Sequence, residues 1–558
     1  MSGTNTAISA IEARLLAAGA PFELCDVRYL GETVRTYANR PPDLRSVLAR
    51  TAAFGERPYA IFANRDGERR IAYADLVAIV ASVASVLRTD YGVGPGDRVA
   101  ILGENRAEWL LTFWATISIG AVAVGLNGWW TGDEIRYALD DCAPKVLVAD
   151  EKRLARLAGT APSMPVVVME RDFARLESAH RGAPLPTNPI APEDAAIILY
   201  SSGTTGRPKG AVHTHFNVTS MIMTSFFHGA RMHGVLGITP GVAVTLVTSP
   251  LFHVSGLHAA AIVGLAGGAT TVWPMGRFDP ELALTLIQRE RVTGWGYTAT
   301  ILHRLLAFPR IAEFDTSSMR LVGGGGSPIP TTLQKRARAA IPSIEQALGV
   351  GYGLTETCAF TCLAAGEELA THPESSGRPL PGVEVEIRDA SGAALPEGED
   401  GEIFVRGPLV MREYFGNEAA TRETIGPGRW LRTGDIGCLR EGRIYLATRK
   451  RDLILRGGEN VYPAEIEQRL EEHPSIAEVA VVGVDHAELG HEVKAIVVPK
   501  AGAEIDVGAL SAHVASSLAY FKVPSLWEIR SEPLPRNATG KVVKFALLEG
   551  GPAQFIEE

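Results

Sequence analysis

"EIRYALDDCAPKVLVADEKRLARLAGTAPSMPVVVME", Glu134 to Glu170, alternates between two patterns. EIRYALDDCA carries its apolar residues at helical spacing and KVLVAD is a short apolar strand; KRLARLA and VVVME repeat the pair. The same alternation continues on both sides. Upstream, Asp75 reads as the cap of a helix whose apolar residues Leu76, Ile79, Val80, Val83 and Leu87 recur at helical spacing, and "GVGPGDRVAIL" turns the chain into a strand. Downstream, LALTLIQRE leads into VTGWGYT. Such a pattern predicts an α/β fold of mainly parallel sheets covered by helices on both faces. Leu110 to Leu126 is seventeen residues without a charge, short of the ~20 a membrane span needs, and reads as a buried helix running into a buried strand.

From about Val383 the pattern changes. VEVEIRD and GEIFVRG flank a Gly/Pro/Glu-rich turn, as in an antiparallel β section. Near Arg451 a smaller α+β unit begins: PAEIEQRLEEH as a helix with Pro463 near its start, IAEVAVVGV and EVKAIVVPK as strands, VGALSAHVASSL as a second helix, and LPRNATGKVVK as a late exposed loop. The expected division is a large N-terminal domain, 1–450, and a small mobile C-terminal domain, 451–558.

The 558 residues are 46% hydrophobic and 21% charged, enough for a large core, and the net charge of −9 argues against a nucleic-acid partner. Five scattered cysteines without a C-x-x-C support neither a zinc ribbon nor a disulfide scaffold. No signal peptide is legible at the start, so a cytoplasmic location is expected.

Five segments carry chemistry. "YSSGTTGRPKG", Tyr200 to Gly210, is rich in hydroxyls and glycines and holds one lysine; it suits a phosphate, but Arg207 and Pro208 separate Gly206 from Lys209, which breaks the G-x-x-x-x-G-K-[ST] pattern. "SPLFHVSG" places His253 after an apolar strand end. "GYGLTET" offers an aromatic face at Tyr352, a hydroxyl at Thr355 and, at Glu356, a carboxylate suited to Mg²⁺. "WLRTGDIG" carries Asp435 in a turn, able to accept from ribose hydroxyls. "RKRDLILRGGENVYPAEIE" and "RNATGKVVK" bring Arg449, Arg451, Gly458 and Lys541. Taken alone, each of these segments has an ordinary structural explanation as well.

In this order and at these separations, the five segments resemble the adenylate-forming superfamily, in particular its acyl-CoA synthetase and fatty-acid–CoA ligase branch, from about Arg45 to Leu547. The resemblance implies an ATP-dependent ligase that joins a carboxylic acid to AMP with release of pyrophosphate and then forms the CoA thioester. It implies ATP, Mg²⁺ and CoA as cofactors. By motif match, Ser201, Ser202, Gly203, Thr204, Thr205, Gly206 and Lys209 would hold the departing phosphates, Tyr352 would stack on adenine, and Thr355 would meet the α-phosphate. Glu356 would bind Mg²⁺, Asp435 and Arg449 the ribose, and Lys541 would bridge carboxylate and phosphate. The small domain would rotate about Arg451 to bring Gly458 beside the pantetheine arm, and His253 would mark the acyl and thiol side. The "GGGGSP" stretch replaces a more usual S-G-G-A-P, and Gly325 and Gly326 are expected to widen the acyl pocket.

The ammonium-binding aspartate of amino-acid-activating relatives has no counterpart in Leu251-Phe252-His253, and the pocket segments Val254 to Leu257, Trp295 to Thr298 and Gly323 to Ser327 are mostly apolar or small. A medium- or long-chain fatty acid is the expected substrate. The alternatives are an aromatic or alicyclic acid of a degradation pathway, or a carrier protein in place of CoA as acceptor. No transmembrane segment is expected, and a homodimer is allowed.

Overall fold

The computed structural model describes residues 3–157, 159, 162–201, 208–326, 329–449, 452–456, 459–486, 489–537 and 540–548. The opening stretch folds as its periods dictate: helix Gly132–Cys142, strand Val146–Ala149, and strand Val166–Val168. Thr131 and Glu134 close a reciprocal capping box at the start of that helix. KRLARLA forms less helix than its pattern predicts. One α-turn, Glu151–Leu154, tightens into a 3₁₀ turn, Ala155–Leu157, where Arg156 reaches back to the carbonyls of Gly128 and Trp130.

The helix expected to start at Asp75 begins earlier, at Tyr73, with Ala72 as the cap residue. Tyr73 is drawn into the core, where its hydroxyl donates to the Ala269 carbonyl at 2.7 Å. Asp75 therefore stands inside the first turn, where a carboxylate complements the helix dipole.

Two large sheets form the N-terminal part. The first has seven strands in the order Glu413–Tyr414, Lys209–Thr214, Ala195–Ser201, Val122–Leu126, Arg98–Leu102, Val146–Ala149, Val166–Val168. It is parallel from Ala195–Ser201 onward and antiparallel at its other edge. The second has nine strands, with a parallel centre of Leu348–Tyr352, Leu321–Gly325, Gly294–Tyr297, Val244–Val247, Thr270–Pro274 and Pro58–Ala63. The uncharged run folds as expected into helix Ala107–Ile119, buried at every residue but Glu108, followed by the buried strand Val122–Leu126. Among the described residues no helix is long and apolar enough to cross a membrane. The expected β section is a four-stranded antiparallel sheet, Glu384–Arg388, Gly401–Arg406, Leu431–Arg440 and Arg443–Arg449.

The C-terminal region has its own sheet and its own apolar cores. Ile476–His486 pairs with Gly490–Pro499, and helices Pro463–Glu471 and Val507–Ala515 supply Ile466, Leu470, Leu510 and Val514 to the packing. The loop around Lys541 is less exposed than its polar sequence suggests. Arg536 and Lys541 are half-buried, and Thr300 donates to the Gly540 carbonyl at 2.8 Å.

Glu471 ends its helix four residues after Glu467. Burial, reinforced by Glu467, pushes its carboxyl up to about 7. A carboxyl raised in the folded state holds its proton there while the unfolded chain has lost it, so stability falls as pH rises from about 4.5 to about 7. Glu471→Gln is expected to flatten that part of the profile, as urea midpoints measured from pH 5 to 8 would show.

Candidate functional site

A cavity of about 1660 Å³ lies where the ends of the two sheets meet the C-terminal region, and Ser201, Lys209, His253, Thr355, Glu356 and Lys541 all line it. Ser201 ends a strand whose middle is fully buried, and Lys209 is its register partner on the next strand. The Ser201 hydroxyl donates to Glu356 Oε1 at 2.8 Å. Tyr414, on the strand beyond, donates to the same oxygen at 2.7 Å, and the Lys209 ammonium lies 5.2 Å from its ring centre. Burial, with Glu356 alongside, pushes the Tyr414 phenol far up, so it stays a donor. The motif reading missed Tyr414; its only sequence signal is an aromatic residue two positions after Arg412 in a short edge strand.

Glu356 sits in the 3₁₀ turn Thr355–Thr357. The turn is closed by the Leu354 N–H donating to Thr357 Oγ1 at 2.9 Å, and pinned by the Met411 N–H donating to the Glu356 carbonyl at 2.9 Å. Gly353, just before it, has no room for a side chain: a Cβ there would overlap the backbone of Ala359 and Phe360. Glu356 has one carboxylate oxygen held by two neutral hydroxyls, an oxygen donor of the kind a hard cation such as Mg²⁺ prefers.

Tyr352 and Asp435, 83 positions apart, meet: the buried phenol donates to Asp435 Oδ2 at 2.8 Å. Asp435 is the register partner of Arg449. Gly351, Gly353, Thr433 and Gly434, chain neighbours of Tyr352 and Asp435, line the cavity. Ser202, Gly203, Thr204, Thr205, Gly206, Arg451 and Gly458 lie outside the described residues, as does the side chain of Arg449.

His253 precedes the short helix Val254–Gly256, and loss of hydration pushes its imidazole down to about 4, so it is neutral at pH 7. Beyond it the cavity has a glycine floor. Gly296 and Gly323 are register partners on adjacent parallel strands, and a Cβ on either would meet nothing within 4 Å. The widening expected at Gly325 is not there: a Cβ on Gly325 would come within 2.9 Å of the Gly351 carbonyl oxygen, so that glycine serves close strand approach. Gly326 is open but holds φ +79°, a conformation side-chain-bearing residues rarely adopt. Leu246, Leu321, Met232 and Ala260 supply apolar walls.

Lys541 follows a tight turn. The Asn537 N–H donates to the Lys541 carbonyl at 2.8 Å, the Gly540 N–H to the Asn537 carbonyl at 2.7 Å, and the Lys541 N–H to Asn537 Oδ1 at 2.9 Å. Thr300, on helix Ala299–Leu306, donates to the Gly540 carbonyl at 2.8 Å and accepts from Arg536 at 3.1 Å, which docks the turn on that helix, while Arg536 also donates to the Gly540 carbonyl at 2.9 Å.

Residues 48–415 match the family described as AMP-binding enzyme, and residues 465–541 its C-terminal domain. The chain is 34% identical over 490 residues to a feruloyl-CoA synthase of Amycolatopsis sp, covering 86% of this chain and 94% of that protein. It is also 34% identical over 499 residues to the long-chain-fatty-acid–CoA ligase FadD13 of Mycobacterium tuberculosis, covering 86% and 93%. Among solved structures, ATP-bound MatB from Rhodopseudomonas palustris superposes with a TM-score of 0.79 at 32% identity, over 91% of this chain and 99% of that one.

Proposed function

This chain belongs to the AMP-binding enzyme family as an AMP-forming acid–CoA ligase, and from that premise we propose that it activates an apolar carboxylic acid, with a medium- or long-chain fatty acid as the first reading. The observation that carries the proposal is the single cavity that joins the Ser201, Lys209, Thr355 and Glu356 cluster, the Lys541 turn, and the apolar space beyond His253.

In the proposed reaction a carboxylate oxygen attacks the α-phosphorus of ATP, the bond to the β-phosphate oxygen breaks, and pyrophosphate leaves. Two anions must meet for this to happen. Lys541 and the Thr355 hydroxyl are proposed to stabilise the charge that gathers on the α-phosphate, and Lys209 with the Tyr200–Gly210 loop to hold the departing phosphates. Glu356 would hold Mg²⁺, which when bound neutralises phosphate charge. The CoA thiol then attacks the acyl carbon and AMP departs. Residues 451–558 are proposed to act as the mobile domain, with Arg451 as pivot and Gly458 beside the pantetheine arm.

The apolar walls at Leu246, Leu321 and Met232 support an extended acyl chain. The breadth of the floor at Gly296 and Gly323 favours a second reading, an aromatic or alicyclic acid, because two strands without side chains accept a flat ring as readily as a chain. Equal identity to a feruloyl and a long-chain ligase fits both readings. Pyrophosphate release across straight-chain, aryl and alicyclic acids, with and without CoA, is the test. Turnover that requires CoA and peaks with straight chains upholds the first reading, a peak with ring acids establishes the second, and turnover indifferent to CoA identifies a carrier-protein acceptor. Gly323→Val fills the floor and is expected to lower kcat/KM for the best acid by about 10- to 100-fold, the scale of one or two misplaced methylenes in a pocket.

A further inference from the structure

Beneath the Thr355–Glu356 turn lie two histidines that this reaction scheme does not use. His213, on strand Lys209–Thr214, and His258, in the π-helical turn Leu257–Ile262, are both fully buried. Their rings meet edge to face with centroids 4.9 Å apart, His213 Nδ1 lies 3.1 Å from His258 Nε2, and His213 Nε2 lies 2.7 Å from the Thr355 carbonyl oxygen.

The direction of each hydrogen bond follows from the end of the chain. A carbonyl only accepts, so His213 Nε2 carries the hydrogen. Burial keeps the ring neutral, leaving Nδ1 bare to accept from His258 Nε2–H. His258 Nδ1 is then bare as well, and among the described residues it has no hydrogen-bond partner. A buried unsatisfied nitrogen costs stability, and a π-turn is a local departure from helical geometry common at functional sites. Both costs fall on the residue that orients His213. Cys358 Sγ completes a group of three donor atoms within 4.8 Å of one another. The commitment of His213 Nε2 to Thr355 and the direct contact between the rings favour a hydrogen-bonded chain over an ion.

We propose that His213 and His258 are positioning residues for acid activation: His258 fixes the tautomer of His213, and His213 holds the Thr355 carbonyl so that the Thr355 hydroxyl and the Glu356 carboxylate face the cavity. The chain also ties this turn to the helical segment that begins beside His253, so the phosphate side and the acyl side of the cavity share one support. The inference rests on the roles proposed above for Thr355 and Glu356.

Three variants test it. His213→Leu removes the donor to Thr355. His213→Gln keeps an N–H for Thr355 and an acceptor for His258. His258→Phe keeps a ring but removes the donor to His213. In pyrophosphate-release assays His213→Leu is expected to lower kcat about 10- to 100-fold, the scale of a small misplacement of reacting groups, with the KM for acid within about threefold of wild type. His258→Phe is expected to lower kcat about tenfold, and His213→Gln to recover most of the rate. Thioester formation from supplied acyl-AMP is expected to stay near wild type in all three. The proposal is overturned if His213→Leu retains the wild-type kcat, if His213→Gln is as slow as His213→Leu, or if both half-reactions fall alike. Should His213→Leu fail to fold, the other two decide: a slow His258→Phe beside a fast His213→Gln supports the chain, and any other pattern overturns it. Wild-type protein that releases no pyrophosphate with any acid instead overturns the activation scheme itself, a result read before any variant is compared.

Discussion

Lys541→Ala is expected to slow formation of acyl-AMP by about 10²- to 10³-fold, the usual cost of removing one donor from a developing oxyanion. Thioester formation from supplied acyl-AMP is expected to remain near the wild-type rate. The difference arises because only the first half-reaction brings a carboxylate against a phosphate. The turn that presents Lys541 is held by backbone groups and by Asn537, Thr300 and Arg536, so alanine removes the ammonium without releasing the loop. Pyrophosphate release and thiol consumption, measured separately, check the split. Equal loss in both would remove Lys541 from the adenylation step.

The largest effect on stability is expected far from any motif. Asp150 and Arg153 are 1% and 5% exposed and pair at 2.9 Å. Asp150 also accepts from the N–H groups of Arg153 and Glu104, at 2.8 and 3.0 Å, so one carboxylate caps a helix, ties a loop and balances a buried guanidinium. Asp150→Ala removes the close partner of the Arg153 charge, leaving only Glu104 at 3.9 Å, and is expected to destabilise the fold by about 3 kcal/mol. Adding Arg153→Met should return part of that loss, because the buried charge, then balanced only by the longer 3.9 Å contact with Glu104, is gone. Urea-unfolding midpoints of the two single variants and the double variant decide it. The change should also reach the cavity, since Arg153 and Arg156 hold the carbonyls of Gly128 and Trp130, in the loop whose Asn127, Trp129 and Trp130 line it.

The α/β alternation was legible in the sequence because a parallel strand buried on both faces and the amphipathic helix covering it leave different periods. The boundary at Asp75 was misread because a cap is a matter of backbone geometry, and a buried tyrosine two residues earlier extended the helix. The side chains proposed to take part in the reaction were legible as motifs. What holds them was not. Tyr414 reaches Glu356 through the pairing of Ala211 with Tyr414, and His213 meets His258 across 45 residues; contacts of that range leave no local period to read. The glycines of "GGGGSP" announced an open pocket and Gly323 to Gly326 line the cavity, yet which one leaves room depended on neighbours in space: a Cβ on Gly323 would meet nothing within 4 Å, whereas one on Gly325 would press on the Gly351 carbonyl.

The contact between Thr300 and Gly540 bears on timing. At the Lys541 turn the C-terminal region meets the rest of the chain through two hydrogen bonds of Thr300, one donated to the Gly540 carbonyl and one accepted from Arg536, each worth about 0.5–1.5 kcal/mol net. Two such bonds set a dwell time that thermal motion can end, whereas an apolar interlock of the same size would fix the arrangement. If Lys541 serves adenylation as proposed, Thr300 would act as an escapement: it would hold the lysine at the phosphate long enough for one adenylation, and its weakness would let the thiol have its turn.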